Sequence, residues 1–346
     1  MRDIEKELKY YKPYFKDKVV LCNCDDPFES NFFQYFALNF NSLGLKKLIA
    51  TCYNGSPIAG NQLPLLFALD EEGPKKIAHR VVINEVEDYN GDGAVNLADV
   101  RYLLQNDKNT LQKLEGNGSF DSPECIELLK EADIVVTNPP FSLFREYLAL
   151  LEKYGKQFLI IGNTNAITYK ETFRMFQQNK IRTGYTNFNV GMFFQVPDDW
   201  ERFHHIDEKG NKIARVSTSC WFTNLPVSKH NEELILYKHY DAIEYPHYVN
   251  CDAINVPTFS EIPADYEGNM GVPITFVDKF NPEQFEIISC CEPAIEIDEY
   301  KKCSYFREIK SRQILHNGNP CQKTYHRLII RNKKPIKNDE NNATRN

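Results

Sequence analysis

No apolar run in this 346-residue chain approaches the roughly 20 residues that a bilayer-spanning helix needs. The opening stretch MRDIEKELKYYKPYF is too densely charged for a signal peptide, so a cytoplasmic protein with no membrane contact is expected. Paired CxxC spacing is missing too. Ten cysteines are scattered through apolar segments, which argues against a disulfide framework and gives no zinc signature. Cys22-Asn23-Cys24 and Cys290-Cys291 are close enough to catch a metal, but buried reduced thiols suit their apolar surroundings better. No internal repeat is visible. Net positive charge is also lacking: the chain carries −7. That balance is uneven, because residues 301–337 hold eleven Lys/Arg against the single acid Glu308, which leaves −17 for the rest. Such asymmetry fits a polyanion-facing segment or a solvated basic face.

What is present is an ordinary globular composition, 42% apolar and 13% aromatic. The length implies one large domain with additions or two unequal domains. KVVLCNC (18–24) reads as a buried strand. SNFFQYFALNFNSLG follows as a helix, capped by Ser30, with Phe32, Phe36 and Phe40 on one face and Gly44 as its stop. KKLIATCY and ADIVVTN (132–138) are further strands. SLFREYLALLEKYG is a helix capped by Ser142, QFLIIGN is a strand, and TYKETFRMFQQNK is a helix in which Thr168 and Glu171 have capping-box spacing. Alternating strand and helix predicts a parallel, doubly wound α/β sheet. Residues 181–228 read as antiparallel strands closing the sheet edge, with DEKGNK as a hairpin tip. From 229 to 337 the spacing becomes aperiodic and predicts a smaller irregular C-terminal domain. The tail 338–346 reads as disordered.

The densest chemical signal is VVTNPPF. A buried strand ends at Asn138, and Pro139-Pro140 then forbids both helix and ladder bonding. The next residues are held in a stiff loop at the carboxyl edge of the sheet, where open α/β folds bind ligands. Transfer of a methyl group to an exocyclic base amine needs such a loop. The lone pair of that amine is delocalised into the ring. Two acceptors, the Asn138 side-chain oxygen and the Pro139 carbonyl, can hold both its hydrogens and favour a pyramidal nitrogen as positive charge develops. Phe141 offers a stacking surface for a base swung out of the duplex. A rigid structural turn is the plain alternative.

These residues, with LCNCDDPFESNFFQYFALNF (21–40), ADIVVTNPPFSLFREYL (132–148), FLIIGNTNAITYKE (158–171), STSCWFTNL (217–225) and EGNMGVPITFVDKFNPEQFEI (267–287), resemble the EcoRI-type adenine-specific DNA methyltransferase family. The resemblance runs in one order over most of the chain. It implies a Rossmann-like methyltransferase sheet in residues 1–228 and a DNA target-recognition region in 229–337. It also implies transfer from S-adenosylmethionine to the N6 amine of a flipped adenine in a specific duplex sequence, the modification activity of restriction-modification, with or without a partner nuclease. By position, Asn138 and Pro139 hold the amine, Pro140 fixes the loop and Phe141 stacks on the base. Arg307, Lys310, Arg312, Lys323, Arg327 and Arg331 become phosphate-binding candidates, and the enzyme is expected as a monomer. The tetrad alone also suits cytosine N4, an RNA base or a protein glutamine. A reading from another class is a calcium-dependent binding module on an inactive methyltransferase fold.

Three departures from that pattern matter. The Gly-rich loop after the first strand, common among enzymes using this donor, is replaced by CNCDDPFES. There Asp25 and Asp26 can hold the donor's ammonium group or offset its sulfonium charge, with Pro27 and Phe28 as wall; alternatively the acids serve helix entry. The second strand lacks its usual ribose-binding acid, and Thr51, Cys52 and Tyr53 stand in that place. In GNGSFDSPEC the resemblance makes Phe120 a donor contact, with Asp121 following it where the family acid precedes. Finally, DYNGDGAVNLAD (88–99) has the oxygen-ligand schedule of an EF-hand loop. Asp88, Asn90, Asp92, Ala94 through its carbonyl, Asn96 and Asp99 are spaced as ligands around the obligatory Gly93. It reads as a structural calcium site clipping an insertion of about 60–115 to the sheet, or as an Asx-rich turn of the same shape without the ion.

Overall fold

A computed structural model describes residues 2–24, 26–27, 30–54, 77–89, 91–93, 95–106, 111–196, 198–208, 210–248, 252–290, 306–308, 314–316, 319–323 and 327–337. The chain divides into two compact units, one of residues 1–164 and 183–225, the other of residues 165–182 and 226–346. Among the described residues no helix is long and apolar enough to cross a membrane.

The first unit is built on a sheet whose central strands are apolar throughout. β1 (Val19–Cys22) and β5 (Ile134–Thr137) are buried at every position, as strands covered on both faces must be. β1 pairs in parallel with β2 (Lys47–Cys52) and with β5, and β5 pairs in parallel with β6 (Gln157–Asn163). The register of β1 against β5 is pinned at its start, where the Asp133 carboxylate accepts from the Val19 amide at 2.8 Å. β3 (His79–Ile83) and β4 (Leu111–Lys113) extend one side antiparallel, and β11 (Ser219–Thr223) runs antiparallel to β6 on the other. With β7 (Arg182–Thr183) the order is β4-β3-β2-β1-β5-β6-β11-β7. The sheet is therefore mixed rather than wholly parallel. The expected antiparallel edge exists, but β3 adds a second one that no signal in the sequence announces.

The helix expected over SNFFQYFALNFNSLG breaks in two. α3 (Asn31–Leu38) begins at Ser30, whose hydroxyl oxygen accepts from the Phe32 and Phe33 amides, and α4 (Phe40–Leu43) stops at Gly44 with φ 62°. They follow α1 (Arg2–Leu8) and α2 (Lys12–Phe15). After α5 (Leu97–Asn106) and α6 (Pro123–Glu131) comes α7 (Phe144–Lys153). Ser142 does not cap α7. A 3₁₀ turn, Phe141–Leu143, leads into it because Pro140 sets the entry, and the cap position Leu143 makes no side-chain bond. Nor do Thr168 and Glu171 form a capping box. α8 (Lys170–Gln177) starts after Tyr169, and the Thr168 hydroxyl donates to the Asn165 carbonyl instead. DEKGNK is the expected tip between β9 (His205–Ile206) and β10 (Lys212–Val216), which with β8 (Met192–Gln195) form a separate three-stranded sheet.

The second unit is not irregular. β12 (Ile254–Asn255), β13 (Asn269–Pro273), β14 (Phe285–Cys290) and β18 (Arg327–Asn332) form a sheet in the order β12-β13-β18-β14. β15 (Phe306–Glu308), β16 (Ile314–His316) and β17 (Asn319–Lys323) form another. The central strand β18 reaches partners 38 to 62 residues back, from Leu328 with Cys290 to Arg331 with Asn269, so no hairpin signal marks them, and a bulge between Ile287 and Ser289 breaks the alternation of β14. The tail 338–346 lies outside the described residues.

Candidate active site

Chain order in the first sheet reverses at β1: from there it steps outward to β2 and β3, then returns to β5 on the other side. The crevice beyond the carboxyl ends of β1 and β5 is thus a topological switch point, the place where open α/β sheets bind ligands. Two segments end there, Asn23 to Pro27 after β1 and Asn138 to Phe141 after β5.

Asn138 is half-buried, Pro139 buried, Pro140 exposed and Phe141 half-buried. The Asn138 side-chain oxygen is buried and has no hydrogen-bond partner. Leaving such an acceptor unsatisfied costs about 1–3 kcal/mol, so it is held for something that donates. The loop carrying it is braced by the Leu143 amide donating to the Pro140 carbonyl at 3.0 Å.

The β1 side is equally constrained. Cys24 turns the chain sharply with φ 67°, a left-handed conformation costing a residue with a Cβ about 1 kcal/mol. Asp26 and Pro27 follow, both buried; Asp25 and Phe28 lie outside the described residues. Asp26 does not serve only the helix entry: its carboxylate accepts from the Cys52 thiol at 3.6 Å, and its backbone carbonyl accepts from the Ser30 amide at 2.7 Å. Thr51 and Cys52 are buried at the end of β2, and Tyr53 is exposed beyond it.

The Phe120 loop is brought to the same strand end. The Asn54 amide donates to the Asn117 carbonyl at 3.0 Å, and the Glu124 carboxylate accepts from the Gly116 amide at 2.8 Å. Gly118 sits with φ 77° so close to Cys52 that an added Cβ would collide with its carbonyl oxygen, so this approach requires glycine. Phe120 is buried, whereas Asp121 is exposed and accepts from the Ser119 hydroxyl. Thr51, Cys52 and Phe120 are thereby gathered at one edge.

Three residues of this edge carried no sequence signal. Asn23 and Tyr147 are buried beside the two loops, and the Tyr147 hydroxyl donates to the Asn23 side-chain oxygen. His79 starts β3, and its Nδ1 lies 2.9 Å from the Ile77 carbonyl. Asp26, Cys52 and His79 offer ligand atoms within 4.8 Å of one another, all buried, a donor set compatible with a borderline-soft cation.

The calcium-type loop lies elsewhere, between β3 and α5. Asp88 accepts from the amides of Gly91 at 2.8 Å, Asp92 at 3.2 Å and Gly93 at 2.7 Å, while Asp99 accepts from the Asn96 amide at 2.8 Å. The Asn96 side chain donates to Asp92 at 2.9 Å. A strand rather than a helix enters it, and Asn90 and Ala94 lie outside the described residues.

Of the basic candidates, Arg307 lies on β15, Lys323 on β17, and Arg327 and Arg331 on β18; Lys310 and Arg312 are outside the described residues. Arg331 is exposed and donates to the Asn269 side-chain oxygen at 2.9 Å.

A family model described as adenine-specific methyltransferase EcoRI matches residues 1–333. The chain is 45% identical over 319 residues to the Type II methyltransferase M.EcoRI of Escherichia coli, covering 88% of this chain and 89% of that protein. It is 36% identical over 346 residues to the Type II methyltransferase M.MpnI of Mycoplasma pneumoniae, covering 96% and 93%. It is also 34% identical over 338 residues to the Type II methyltransferase M.MgeORF184P of Mycoplasma genitalium, covering 95% and 92%. No solved structure matches.

Proposed function

The chain belongs to the EcoRI family of adenine-specific methyltransferases, and from that premise we propose how its own residues methylate DNA. The reaction moves a methyl group from S-adenosylmethionine to the N6 amine of an adenine in a specific duplex sequence. The observation that carries the residue assignment is the buried, partnerless Asn138 oxygen at the switch point.

Asn138 accepts one hydrogen of the adenine amine and the Pro139 carbonyl accepts the other. Both acceptors strengthen as positive charge grows on nitrogen, so they stabilise the transition state more than the ground state. Pro140 keeps the loop from rearranging, and Phe141 stacks on the extruded base. The surplus proton leaves after transfer, which removes the need for a matched general base.

The residues along β1, β2 and the Phe120 loop fit a cationic, partly aromatic donor: a buried carboxylate on Asp26, a polar strand end and one buried ring. S-adenosylmethionine supplies the electrophilic methyl group there. Asp25 and Asp26 would offset its positive charge, with Pro27 and Phe28 as wall, Thr51, Cys52 and Tyr53 would hold the ribose end, and Phe120, with Asp121 beside it, would contact the donor near its adenine. The same reading takes 1–228 as the Rossmann-like catalytic part with its insertion at about 60–115, and 229–337 as the target-recognition part. The protein would act as a cytoplasmic monomer. Asp88, Asn90, Asp92, Ala94, Asn96 and Asp99 can hold one calcium ion, because a carboxylate already accepting amide bonds keeps lone pairs for a cation.

The decisive experiment supplies labelled donor and assorted duplex DNA and identifies the product base. N6-methyladenine is expected, with Asn138→Ala reducing turnover about 100-fold or more. Undiminished transfer by that variant would remove Asn138 from the mechanism.

A further inference from the structure

Asn23, 1% exposed, is a buried amide side chain at the switch point whose two ends are treated differently. Its side-chain oxygen accepts from the Tyr147 hydroxyl, so the orientation of the amide is fixed from α7. Its backbone carbonyl accepts from the Thr137 hydroxyl, the residue before Asn138. Its Nδ2 has no partner, so the side chain is not placed there to satisfy itself. Tyr147 in turn meets the Phe120 ring edge-on, with centroids 5.0 Å apart and an interplanar angle of 80°.

These contacts tie together pieces that sequence separates widely. The ladder between β1 and β5 pairs Val20 with Ile134 and Leu21 with Val135. The Thr137–Asn23 bond carries that union past the last ladder pair to the residue from which Asn138 springs. Beyond it both chains leave the sheet, Asn23 toward the turn at Cys24 and Asn138 toward two prolines, so no further ladder bond can hold them. Tyr147 holds the Asn23 side chain and meets the Phe120 ring with its own.

We propose that Thr137, Asn23 and Tyr147 form a hydrogen-bonded bracket that sets where the Asn138 oxygen stands relative to the Phe120 side of the crevice. They are positioning residues for the methyl transfer. None is required to touch the reacting atoms. The proposal rests on the role given above to Asn138 and adds to it the three side chains that act through it. A bracket of this kind affects the chemical step, since small misplacement of an acceptor costs rate far more readily than it costs binding.

Thr137→Val keeps the shape and burial of the side chain but deletes the bond to Asn23, and Thr137→Ser keeps the hydroxyl. Tyr147→Phe deletes the other bond and retains the ring against Phe120. With the full-length enzyme and saturating DNA, single-turnover rate and donor Kd are measured alongside melting temperature. Thr137→Val and Tyr147→Phe are expected to slow the chemical step about 10-fold with donor Kd within about twofold of wild type, and Thr137→Ser to restore most of the rate. An unchanged rate in Thr137→Val and Tyr147→Phe, or an equal loss in Thr137→Ser, would overturn the bracket. A rate loss matched by loss of donor binding and of the folded state would overturn it as well. Asn138→Ala is run in parallel: if it is inactive while the bracket variants are normal, the bracket alone fails, and if it is fully active, both readings fail together.

Discussion

Glu7 shows how a single charged residue can be recruited as an internal tie. It lies on α1 with no exposure, and its carboxylate accepts from the Tyr11 hydroxyl at 2.9 Å, the Tyr185 amide at 2.7 Å, the Thr186 amide at 2.7 Å and the Thr186 hydroxyl at 2.6 Å. Burial pushes this carboxyl above its ordinary 4.5, and the bonds from Thr186, Tyr185 and Tyr11 only partly oppose that. A folded state that holds its proton longer than the unfolded chain is favoured at low pH. Its contribution is complete below the unfolded value and is lost as pH rises through the folded one. Urea midpoints measured from pH 4.5 upward should therefore fall less steeply in Glu7→Gln than in wild type. Glu7→Ala removes the shared acceptor of these four bonds, although the Thr186 hydroxyl keeps the Asn187 side-chain oxygen as an acceptor, and should cost about 3 kcal/mol at neutral pH, with an unchanged m-value. Nothing in RDIEKEL announces this role, since a Glu on a short amphipathic helix ordinarily faces water. Asn138 is the opposite case: its neighbours Pro139 and Pro140 forbid regular structure, so the sequence itself isolates it.

At the scale of elements, legibility follows the range of the forces that form them. β1, β2, β5 and β6 were readable because a strand buried on both faces is a continuous apolar run, and Ser30 and Gly44 were readable because capping is local. Ser142 and Thr168 fail as caps because a proline-led 3₁₀ turn and a backbone acceptor three residues back win over capping, and the capping pattern alone does not rank such equally local competitors. β13, β14 and β18 were invisible because their pairing is non-local. The 88–99 loop is local again, and its Asp88-centred turn forms from its own amides. Those bonds leave the loop shaped before any ion arrives, so calcium should add stability rather than create the fold. Saturating calcium should raise the melting temperature by about 5 °C over the chelated protein and leave methyl transfer intact. Complete loss of activity on chelation, with the fold retained, would refute a purely structural role.

Across the whole chain the charge is partitioned, +10 in residues 301–337 and −17 elsewhere. Such a molecule should be repelled by a polyanion over most of its length and attracted through one segment. Orientation on DNA is then set by charge before any base is read. Arg307, Lys323, Arg327 and Arg331 stand on strands of the second unit, whose two sheets hold them at defined register positions rather than on an unstructured tail. If each contacts one phosphate, log Kd against log salt loses about one unit of slope for every neutralised residue, whatever the DNA sequence. Replacing Arg307 and Lys323 together with Gln should lower the slope by about 2, weaken cognate and non-cognate duplexes alike, and leave the single-turnover rate at saturating DNA unchanged. Equilibrium binding at several salt concentrations, on both duplexes, decides it. An unaltered slope would place the phosphate contacts elsewhere. A loss confined to the cognate duplex would make these residues readers of base edges, because only contacts that carry sequence information can distinguish the two duplexes.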